Sequence, residues 1–504
     1  MADTVKSLLR APADAPAILA PDSPALSHGA LRAHVERTVA RLNELGIGRN
    51  DRVAIVLPNG PEMASAFVAI AAGATTAPLN PAYRDEEFEF YLSDLGAKAL
   101  VLEAGADSPA IAVAERLGVP ILRLEARRDE GAGLFDLLGD AGGAPESGGM
   151  AEPDDIALVL HTSGTTSRPK IVPLAQTNIC ATARHIGETL ALKPADRCLN
   201  IMPLFHIHGL MSAVLSSLAA GASVYCSPGF NALKFFSWME EAGPSWYTAV
   251  PTMHQAILSR AARNQATVDK AKLRFIRSSS SSLAPQVMAE LEQVFGAPVI
   301  ESYGMTEAAH QMTSNPLPPR ERKPGSVGVA AGPEVAIMGK DGALLPAETE
   351  GEVVIRGPNV TGGYENNPEA NAGAFTDGWF HTGDNGVMDD AGYLRITGRI
   401  KEIINRGGEK ISPREVDEIL MDHPAVAQAV TFAMPHDKLG EEVACAIVLR
   451  EGATAEEREI RDFAATRLAD FKVPRKVLFL EEIPKGATGK LQRIGLAKQL
   501  GLAP

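Results

Sequence analysis

A polar, glycine-containing segment that follows an apolar run has the composition of a phosphate-binding loop. Residues 156–160 are apolar and predict a buried strand, and residues 161–170 continue as His-Thr-Ser-Gly-Thr-Thr-Ser-Arg-Pro-Lys. Backbone amides near Gly164 can approach an anion closely, the hydroxyls add donors, and Lys170 supplies a positive charge. The common nucleotide loop G-x-x-x-x-G-K-[ST] is not matched, because no glycine precedes Lys170. A polar surface loop after a strand is the alternative interpretation.

Length and charge indicate a protein of more than one domain that acts on small molecules. The chain has 504 residues, 45% of them apolar, so it can bury a large core. The 48 basic and 62 acidic residues give a formal net charge of -14, which repels nucleic acid and anionic lipid. We therefore expect small-molecule partners, with no nucleic acid, no membrane insertion and no obligatory protein partner.

The cysteines and the N-terminal segment favour a cytoplasmic protein. The four cysteines lack C-x-x-C spacing, which argues against a disulfide framework and a zinc site. We expect them to be small buried hydrophobic residues. No continuous apolar core of a signal peptide is present near the N-terminus, and the apolar run at residues 66–72 is too short to span a bilayer.

Short apolar runs rich in β-formers alternate with longer helical or mixed segments along most of the chain. This alternation predicts an α/β fold with largely parallel sheets. The predicted strands lie at residues 53–57, 99–102, 156–160, 223–226, 273–276 and 298–300.

After residue 400 the pattern of predicted helices and strands changes. The segment Ser412-Pro-Arg-Glu415 has the pattern of a capping box with proline at the first helical position, and a helical apolar stripe follows as far as Pro424. Two further strands are predicted at residues 426–433 and 445–449. This region predicts a small α+β domain.

Five ordered segments carry the polar and glycine residues that nucleotide chemistry requires. They are Thr162-Ser-Gly-Thr-Thr-Ser-Arg-Pro-Lys170, Tyr303-Gly-Met-Thr-Glu307, Trp379-Phe-His-Thr-Gly-Asp384, Gly398-Arg-Ile-Lys401 with Gly407-Gly-Glu-Lys410, and Pro484-Lys-Gly-Ala-Thr-Gly-Lys490. Together they resemble the adenylate-forming superfamily of acyl-CoA synthetases, carrier-loading adenylation domains and firefly luciferases. The resemblance implies a large N-terminal domain, residues 1–398, with mixed and parallel sheets flanked by helices. It also implies a small mobile α+β C-terminal domain, residues 399–504, with a hinge at Lys401.

The resemblance implies a two-step reaction with ATP and CoA as co-substrates and Mg²⁺ as cofactor. A carboxylate attacks the α-phosphorus of ATP, pyrophosphate leaves, and a thiol then attacks the acyl-adenylate; positioned cations assist because anions must meet. The ATP-binding residues implied are Thr162, Ser163, Gly164, Thr165, Thr166, Lys170, Tyr303, Asp384 and Arg399. Tyr303 is expected against the adenine and Asp384 with Arg399 at the ribose. The catalytic residues implied are Lys490, Glu307, Thr306 and His206, with Glu307 as the Mg²⁺ ligand.

Rotation of the small domain is implied to separate the two steps. Lys490 would reach between the attacking carboxylate and the α-phosphate during adenylation and then leave as the domain turns about Lys401. Gly407 and Gly408 would then border the CoA tunnel, where the absence of a side chain lets the pantetheine arm pass.

The segments that match the acid pocket of this family are rich in hydrogen-bond donors. They are residues 203–209, 250–254, 278–282 and 308–311. Histidines and hydroxyls suit a small acid with a second carboxylate. The pattern is most similar to the oxalate–CoA ligase branch, which implies Ser280 and His310 as oxalate-binding residues and His206 as a neighbouring pocket residue. Alternatively, the serines cap the helix that begins near Pro285, and His208, His254 and His310 are core histidines.

Three functional interpretations remain open from the sequence. The first is an acid–thiol ligase that makes oxalyl-CoA, or the CoA thioester of another short or aromatic acid. The second is a stand-alone adenylation protein that loads a carrier protein. In that case free CoA would fail to discharge the acyl-adenylate. The third is a luciferase-like monooxygenase or a non-catalytic adenylate binder, against which the polar pocket and the presence of Lys490 and Glu307 argue.

Overall fold

The computed structural model describes residues 3–162, 169–485 and 491–503, and these form four β-sheets with helices packed against them. The largest sheet has nine strands and is parallel except at its two edges. Its strands in spatial order are Val329–Ala330, His310–Ser314, Val299–Met305, Phe275–Ser278, Trp246–Ala249, Arg197–Asn200, Ser223–Cys226, Pro16–Leu19 and Leu26–Ser27.

A second sheet of seven strands, also parallel except at its edges, carries the predicted phosphate segment. Its strands in spatial order are Phe135–Leu138, Ile121–Ala126, Ala99–Glu103, Arg52–Val56, Thr75–Pro78, Ile156–Thr162 and Lys170–Ala175. The last two strands are antiparallel, and Thr162 stands opposite Lys170. Thr162 and Lys170 therefore lie side by side at the same end of this strand pair.

The other two sheets are smaller. One is antiparallel, with the strands Glu334–Met338, Gly351–Arg356, Trp379–Met388, Phe375–Thr376 and Leu394–Arg399. The other lies in the C-terminal region, with the strands Glu409–Ile411, Ile404–Arg406, Gly440–Leu449, Val426–His436 and Lys476–Phe479. Only the 3₁₀ turn Ile400–Glu402 lies between the two sheets along the chain.

Helices cover the faces of the sheets. The longer ones are His28–Glu44, Pro61–Ala71, Asp85–Leu95, Pro109–Leu117, Gln176–Thr189, Phe235–Ala242, Pro251–Ala261, Pro285–Phe295, Pro413–Met421 and Glu457–Ala465, and His208–Leu215 is a π-helix. The helix Pro61–Ala71 is buried on every side and contacts strands of both large sheets. An apolar helix with no exposed face is what the space between two sheets requires.

The α/β fold predicted from the sequence is confirmed. Every predicted strand lies on an observed one, but residues 298–300 belong to the longer strand Val299–Met305. That strand extends through polar Ser302 and Gly304 because it pairs with His310–Ser314, and apolar character alone does not reveal such pairing. The antiparallel third sheet was also not foreseen. All four cysteines are buried and free, as predicted.

The capping box predicted at Ser412 is wrong. Helix Pro413–Met421 begins after Ser412, with proline at its first position, but the Ser412 hydroxyl does not cap it. That hydroxyl instead donates to the carbonyl of Thr397 in the antiparallel sheet, and Glu415 accepts from Lys472 at 2.6 Å. Tertiary partners have replaced the local ones, because Ser412 lies where the two sheets meet.

The C-terminal region packs against the rest of the protein through an apolar cluster. Met253, Leu283 and Val287 belong to the same buried cluster as Val416 and Leu420. The amide of Gln255 also donates to the carbonyl of Ala427 at 3.0 Å. In the part of the chain that the structure describes, no helix is long and apolar enough to cross a membrane.

Glu301 is a buried carboxyl beneath the serine run 278–282. It is 1% exposed, and Oε1 accepts a 3.0 Å hydrogen bond from the amide of Leu283. Burial raises the pKa of Glu301 to about 7, although the charge of Arg414 opposes the shift. The folded protein therefore retains a proton on Glu301 between the pKa of the unfolded chain, about 4.3, and about 7.

Glu301 should therefore lower stability as the pH rises through this window, because its ionisation is unfavourable only in the folded state. We compare the free energy of unfolding of Glu301→Gln with that of the wild type at each pH. The difference in favour of Glu301→Gln should increase by about 2–3 kcal/mol from pH 5 to pH 8. Urea unfolding at the two pH values measures the difference. The same pH dependence in both proteins would contradict this prediction.

Candidate active site

Three of the predicted ATP residues meet where the nine-stranded sheet adjoins the antiparallel sheet. The Tyr303 hydroxyl donates to Oδ2 of Asp384 at 2.5 Å, and Nε of Arg399 donates to Oδ1 at 2.9 Å. Asp384 and Arg399 are direct partners in the antiparallel pairing of Trp379–Met388 with Leu394–Arg399. The charge of Asp384 raises the pKa of Arg399, so the guanidinium remains a cation. The carboxylate is thus held by one donor on each oxygen.

A second group surrounds Glu307, in the 3₁₀ turn Thr306–Ala308. Glu307 is buried, its Oε1 accepts a 2.8 Å hydrogen bond from the Tyr364 hydroxyl, and burial raises its pKa. Lys170 Nζ lies 4.3 Å from the centroid of the Tyr364 ring, a cation–π contact. Tyr364 therefore joins the predicted metal ligand to the predicted phosphate-binding lysine, and Thr306 lies beside them in the same turn.

The predicted acid-binding residues gather around His208, at the start of the π-helix. Nδ1 of His208 lies 3.0 Å from Oγ of Ser280, and the His208 and His310 rings are stacked with centroids 4.9 Å apart. Nδ1 of His206 accepts a 3.3 Å hydrogen bond from the backbone amide of His208. Four residues from three separate segments thus form one cluster of donors and acceptors.

Unusual backbone conformations hold this cluster. Ser280 and His310 have φ of 73° and 106°, a region that residues other than glycine seldom adopt and that is concentrated at functional sites. Gly304 permits the tight hairpin behind His310, because a Cβ there would lie 1.5 Å from the His310 carbonyl oxygen. The glycine of the Tyr-Gly-Met-Thr-Glu segment is therefore required by this close approach.

The alternative interpretation is wrong for the serines as helix caps and correct for His254 as a core histidine. The serines do not cap the following helix, because Pro285–Phe295 begins after Ala284 without a side-chain cap. Ser279 instead donates to the carbonyl of Ser302 at 3.0 Å. His254 does lie in the core beside Tyr247, and burial lowers its pKa to about 3.

Some predicted residues lie away from these groups or beyond the described residues. Gly407 and Gly408 form the turn between Ile404–Arg406 and Glu409–Ile411, and the described contact of Gly407 is with Leu439 of the same region. Lys401 is exposed in the turn Ile400–Glu402. Predicted residues that fall outside the described residues are Ser163, Gly164, Thr165, Thr166 and Lys490.

Sequence reasoning missed Tyr364, Thr248, Arg277 and Gln311. Arg277 is fully buried in the strand Phe275–Ser278, with Nη1 3.4 Å from Nε2 of His208 and Nη2 3.4 Å from Oε1 of Gln311. A signal for Arg277 was present, since an arginine within an apolar strand run is unusual. Gln311 lies in the segment 308–311 that matches the acid pocket, but nothing in the sequence relates Thr248 or Tyr364 to the site.

The carboxylate of Glu307 could bind a metal ion whose other ligands are phosphate and water oxygens. Among the described residues, no group of three or more His, Cys, Asp or Glu side chains could hold a metal ion. Glu307 offers one carboxylate next to the segment that is predicted to hold phosphate. Mg²⁺ is commonly bound by one or two carboxylates together with phosphate and water oxygens, and these residues fit such an ion.

Comparison with known proteins agrees with this geometry. The AMP-binding enzyme family matches residues 6–365, and the AMP-binding enzyme C-terminal domain matches residues 415–490. The chain is 49% identical to an oxalate–CoA ligase of Arabidopsis thaliana, covering 93% of this chain and 92% of that one. It is 42% identical to an oxalate–CoA ligase of Saccharomyces cerevisiae, covering 89% and 87%. The crystal structure of ATP-bound MatB from Rhodopseudomonas palustris superimposes with a TM-score of 0.88 at 29% identity, covering 100% and 98%.

The chain therefore belongs to the AMP-binding enzyme family. Its α/β fold, with a large N-terminal part and a smaller C-terminal part, is that of the acyl-CoA synthetases.

The ion pair of Asp384 should contribute more to stability than an exposed pair in the same sheet. Asp384→Asn weakens the hydrogen bonds to Arg399 and Tyr303 within a largely buried site and should lower the free energy of unfolding by about 1–3 kcal/mol. Glu334 pairs with Arg356 while both remain exposed and screened by solvent, so Glu334→Gln should lower the free energy of unfolding by clearly less than Asp384→Asn. Urea unfolding of both variants tests the difference, and equal losses would count against it.

Proposed function

We propose that this protein is an AMP-forming oxalate–CoA ligase, which converts oxalate or a similar small dicarboxylate, ATP and CoA into oxalyl-CoA, AMP and pyrophosphate. The observation that carries the proposal is the cluster of Ser280, His208 and His310, which presents hydrogen-bonding groups where a fatty acid would need apolar walls. The two oxalate–CoA ligases at 49% and 42% identity support the same substrate.

In this proposal the acid lies between Ser280 and His310, with His206 beside it. One carboxylate accepts hydrogen bonds from these side chains, and the other is directed at the α-phosphorus. The adjacent carboxylate of oxalate has a fixed, short separation from the reacting one, so a rigid cluster can hold both ends at once. Pre-positioning of this kind lowers the entropic part of the barrier.

The nucleotide would occupy the space between Tyr303, Asp384 and the segment 162–170. Asp384 has two oxygens that already accept hydrogen bonds, and ribose hydroxyls are donors of the same type. The Tyr303 ring would lie against the adenine, and Arg399 would contact the ribose. Lys170 would neutralise phosphate oxygens, and Glu307 would hold Mg²⁺, which supplies positive charge to the phosphates when it is bound.

The C-terminal region, residues 399–504, is proposed to rotate between the two steps. Leu491 and Arg493 line a cavity between the two regions together with Ser281 and Ser282, next to the acid-binding serine. Lys490, which lies outside the described residues, is proposed as the catalytic cation of adenylation on the resemblance of the segment Pro484-Lys-Gly-Ala-Thr-Gly-Lys490. Gly407 and Gly408 lie elsewhere on the small region, and rotation would be needed to bring them to the CoA path.

Pyrophosphate release across a panel of small acids, with and without CoA, tests the reaction. Oxalate should give the highest kcat/KM, and CoA should be consumed in proportion to pyrophosphate released. Release that free CoA neither accelerates nor consumes would instead identify a carrier-loading adenylation protein. A preference for a long or aromatic monocarboxylate would exclude oxalate as the substrate.

His310→Ala should weaken oxalate use selectively. Loss of one hydrogen bond to a charged group is worth about 1.5–3 kcal/mol, so kcat/KM for oxalate should fall at least about tenfold. The KM for ATP should equal that of the wild type, because Tyr303, Asp384 and Arg399 are unchanged. Wild-type enzyme should use acetate very poorly, since a site built around polar partners rejects an analogue that lacks them. Unaltered oxalate kinetics in the variant would remove His310 from the acid site.

Lys401→Pro should separate the two half-reactions. Proline locks φ near -65° and restricts rotation at the turn Ile400–Glu402, so thioester formation should fall far more than adenylation. Oxalyl-adenylate should accumulate on the enzyme and be detected after quenching. Lys401→Ala keeps the backbone freedom and serves as the control, with near wild-type turnover. Full turnover in the proline variant would place the hinge elsewhere.

A further inference from the structure

Arg277 is a buried cation without a carboxylate partner in the described part of the chain. Its side chain is 0% exposed, and Nε has no hydrogen-bond partner there. The contacts of its two terminal nitrogens, with Nε2 of His208 and Oε1 of Gln311, are both 3.4 Å long, and neither is to a carboxylate. Burial lowers the pKa of Arg277 to about 9, so the guanidinium is still protonated at neutral pH.

The contacts of the His208 ring bear on which of its two nitrogens carries the proton. Nε2 lies 3.4 Å from Nη1 of Arg277 and 2.6 Å from the Thr248 hydroxyl. A guanidinium has donors only, so it can contact Nε2 favourably only where Nε2 presents its lone pair. With Nε2 as the acceptor, the ring proton lies on Nδ1, from which it can donate to Oγ of Ser280 at 3.0 Å. Ser280 can then direct its own hydroxyl hydrogen at an anion in the acid pocket.

The surroundings of Arg277 keep it in this position. Thr248 and Arg277 are direct partners on adjacent parallel strands, so both side chains reach the same ring nitrogen. The Gln311 amide is oriented by donating to the carbonyl of Ala331 at 3.1 Å and to the Thr189 hydroxyl at 3.2 Å, which leaves Oε1 towards Arg277. A chain of contacts therefore runs from Gln311 through Arg277 and His208 to Ser280.

We propose that Arg277 is a positioning and specificity residue, which holds His208 with Nδ1–H on Ser280 and selects a doubly charged acid through its uncompensated buried charge. A buried cation without a counter-charge is unfavourable, and an anion that enters nearby relieves this cost. Because the interior screens charge weakly, this attraction extends past His208 to the pocket. The second carboxylate of a dicarboxylic acid is the group it attracts. The inference rests on the proposed function.

The test compares oxalate with glyoxylate, which replaces one carboxylate by an aldehyde of similar size. Arg277→Met keeps the length and apolar stem of the side chain but removes the charge. Its kcat/KM for oxalate should fall at least about tenfold, mainly through KM, as expected for the loss of one interaction with a charged group. The value for glyoxylate should change less than about threefold. Arg277→Lys retains the charge and should keep part of the preference for oxalate.

Arg197→Met is the matched control. Arg197 is half-buried in the same sheet, two strands away from Arg277, and donates to the carbonyl of Ala242 at 2.6 Å. Its replacement removes a partly buried cation outside the acid pocket, so the ratio of oxalate to glyoxylate kcat/KM should not change. An equal change of this ratio in both variants would show a general structural effect and overturn the proposal.

A spectroscopic measurement separates this inference from the proposed function. With ¹⁵N-labelled histidine, and His208→Gln to assign the signals, wild-type protein should show His208 neutral and protonated on Nδ1 without any substrate. The Arg277→Met variant should lose this single form. Protonation on Nε2 in the wild type would overturn the proposal even if Arg277→Met failed to fold. If the wild type does not use oxalate but His208 is protonated on Nδ1, the proposed substrate fails and the positioning role stands.

Discussion

The carboxylate of Asp384 is the interaction on which the arrangement of the site depends. One oxygen accepts from Tyr303, at the end of a strand of the nine-stranded sheet, and the other accepts from Arg399, the last residue of the antiparallel sheet. Arg399 is followed directly by the turn Ile400–Glu402 that leads to the C-terminal region. One buried group with two hydrogen bonds therefore connects two sheets and the residue that precedes the proposed hinge.

The site retains ionisable groups in places where burial disfavours their charge. Burial raises the pKa of Glu307 and Glu301 and lowers that of Arg277. An apolar residue would be more stable at each of these positions if stability were the only requirement. Together with the left-handed backbone of Ser280 and His310, these groups form the pattern expected where stability has been given up for function.

Contacts between the two regions combine apolar packing with a few directed hydrogen bonds. The Ser412 hydroxyl bonds to Thr397 instead of capping its own helix. Arg493, which follows the segment containing Lys490, donates to Asp417 and lies 3.7 Å from Glu402, beside the turn. Arg493 is thus held by residues that follow the proposed hinge at Lys401. A rotation about Lys401 would move Arg493, Asp417 and Glu402 together, because all three follow Lys401 in the chain.

The sequence by itself determined the α/β class, the order of the nucleotide segments and most strand positions, because apolar periodicity and short motifs are local properties. Through resemblance it also predicted Ser280 and His310 as acid-binding residues, and the structure brings both to His208. It did not single out Tyr364, Thr248, Arg277 and Gln311 as partners of these residues, since the contacts that join them depend on how separate segments pack. The capping role expected of Ser412 failed for the same reason, as a tertiary acceptor replaced the local amide. Only the tertiary structure decided which donor faces which acceptor, because hydrogen bonds and buried charges depend on distances between segments far apart in the chain.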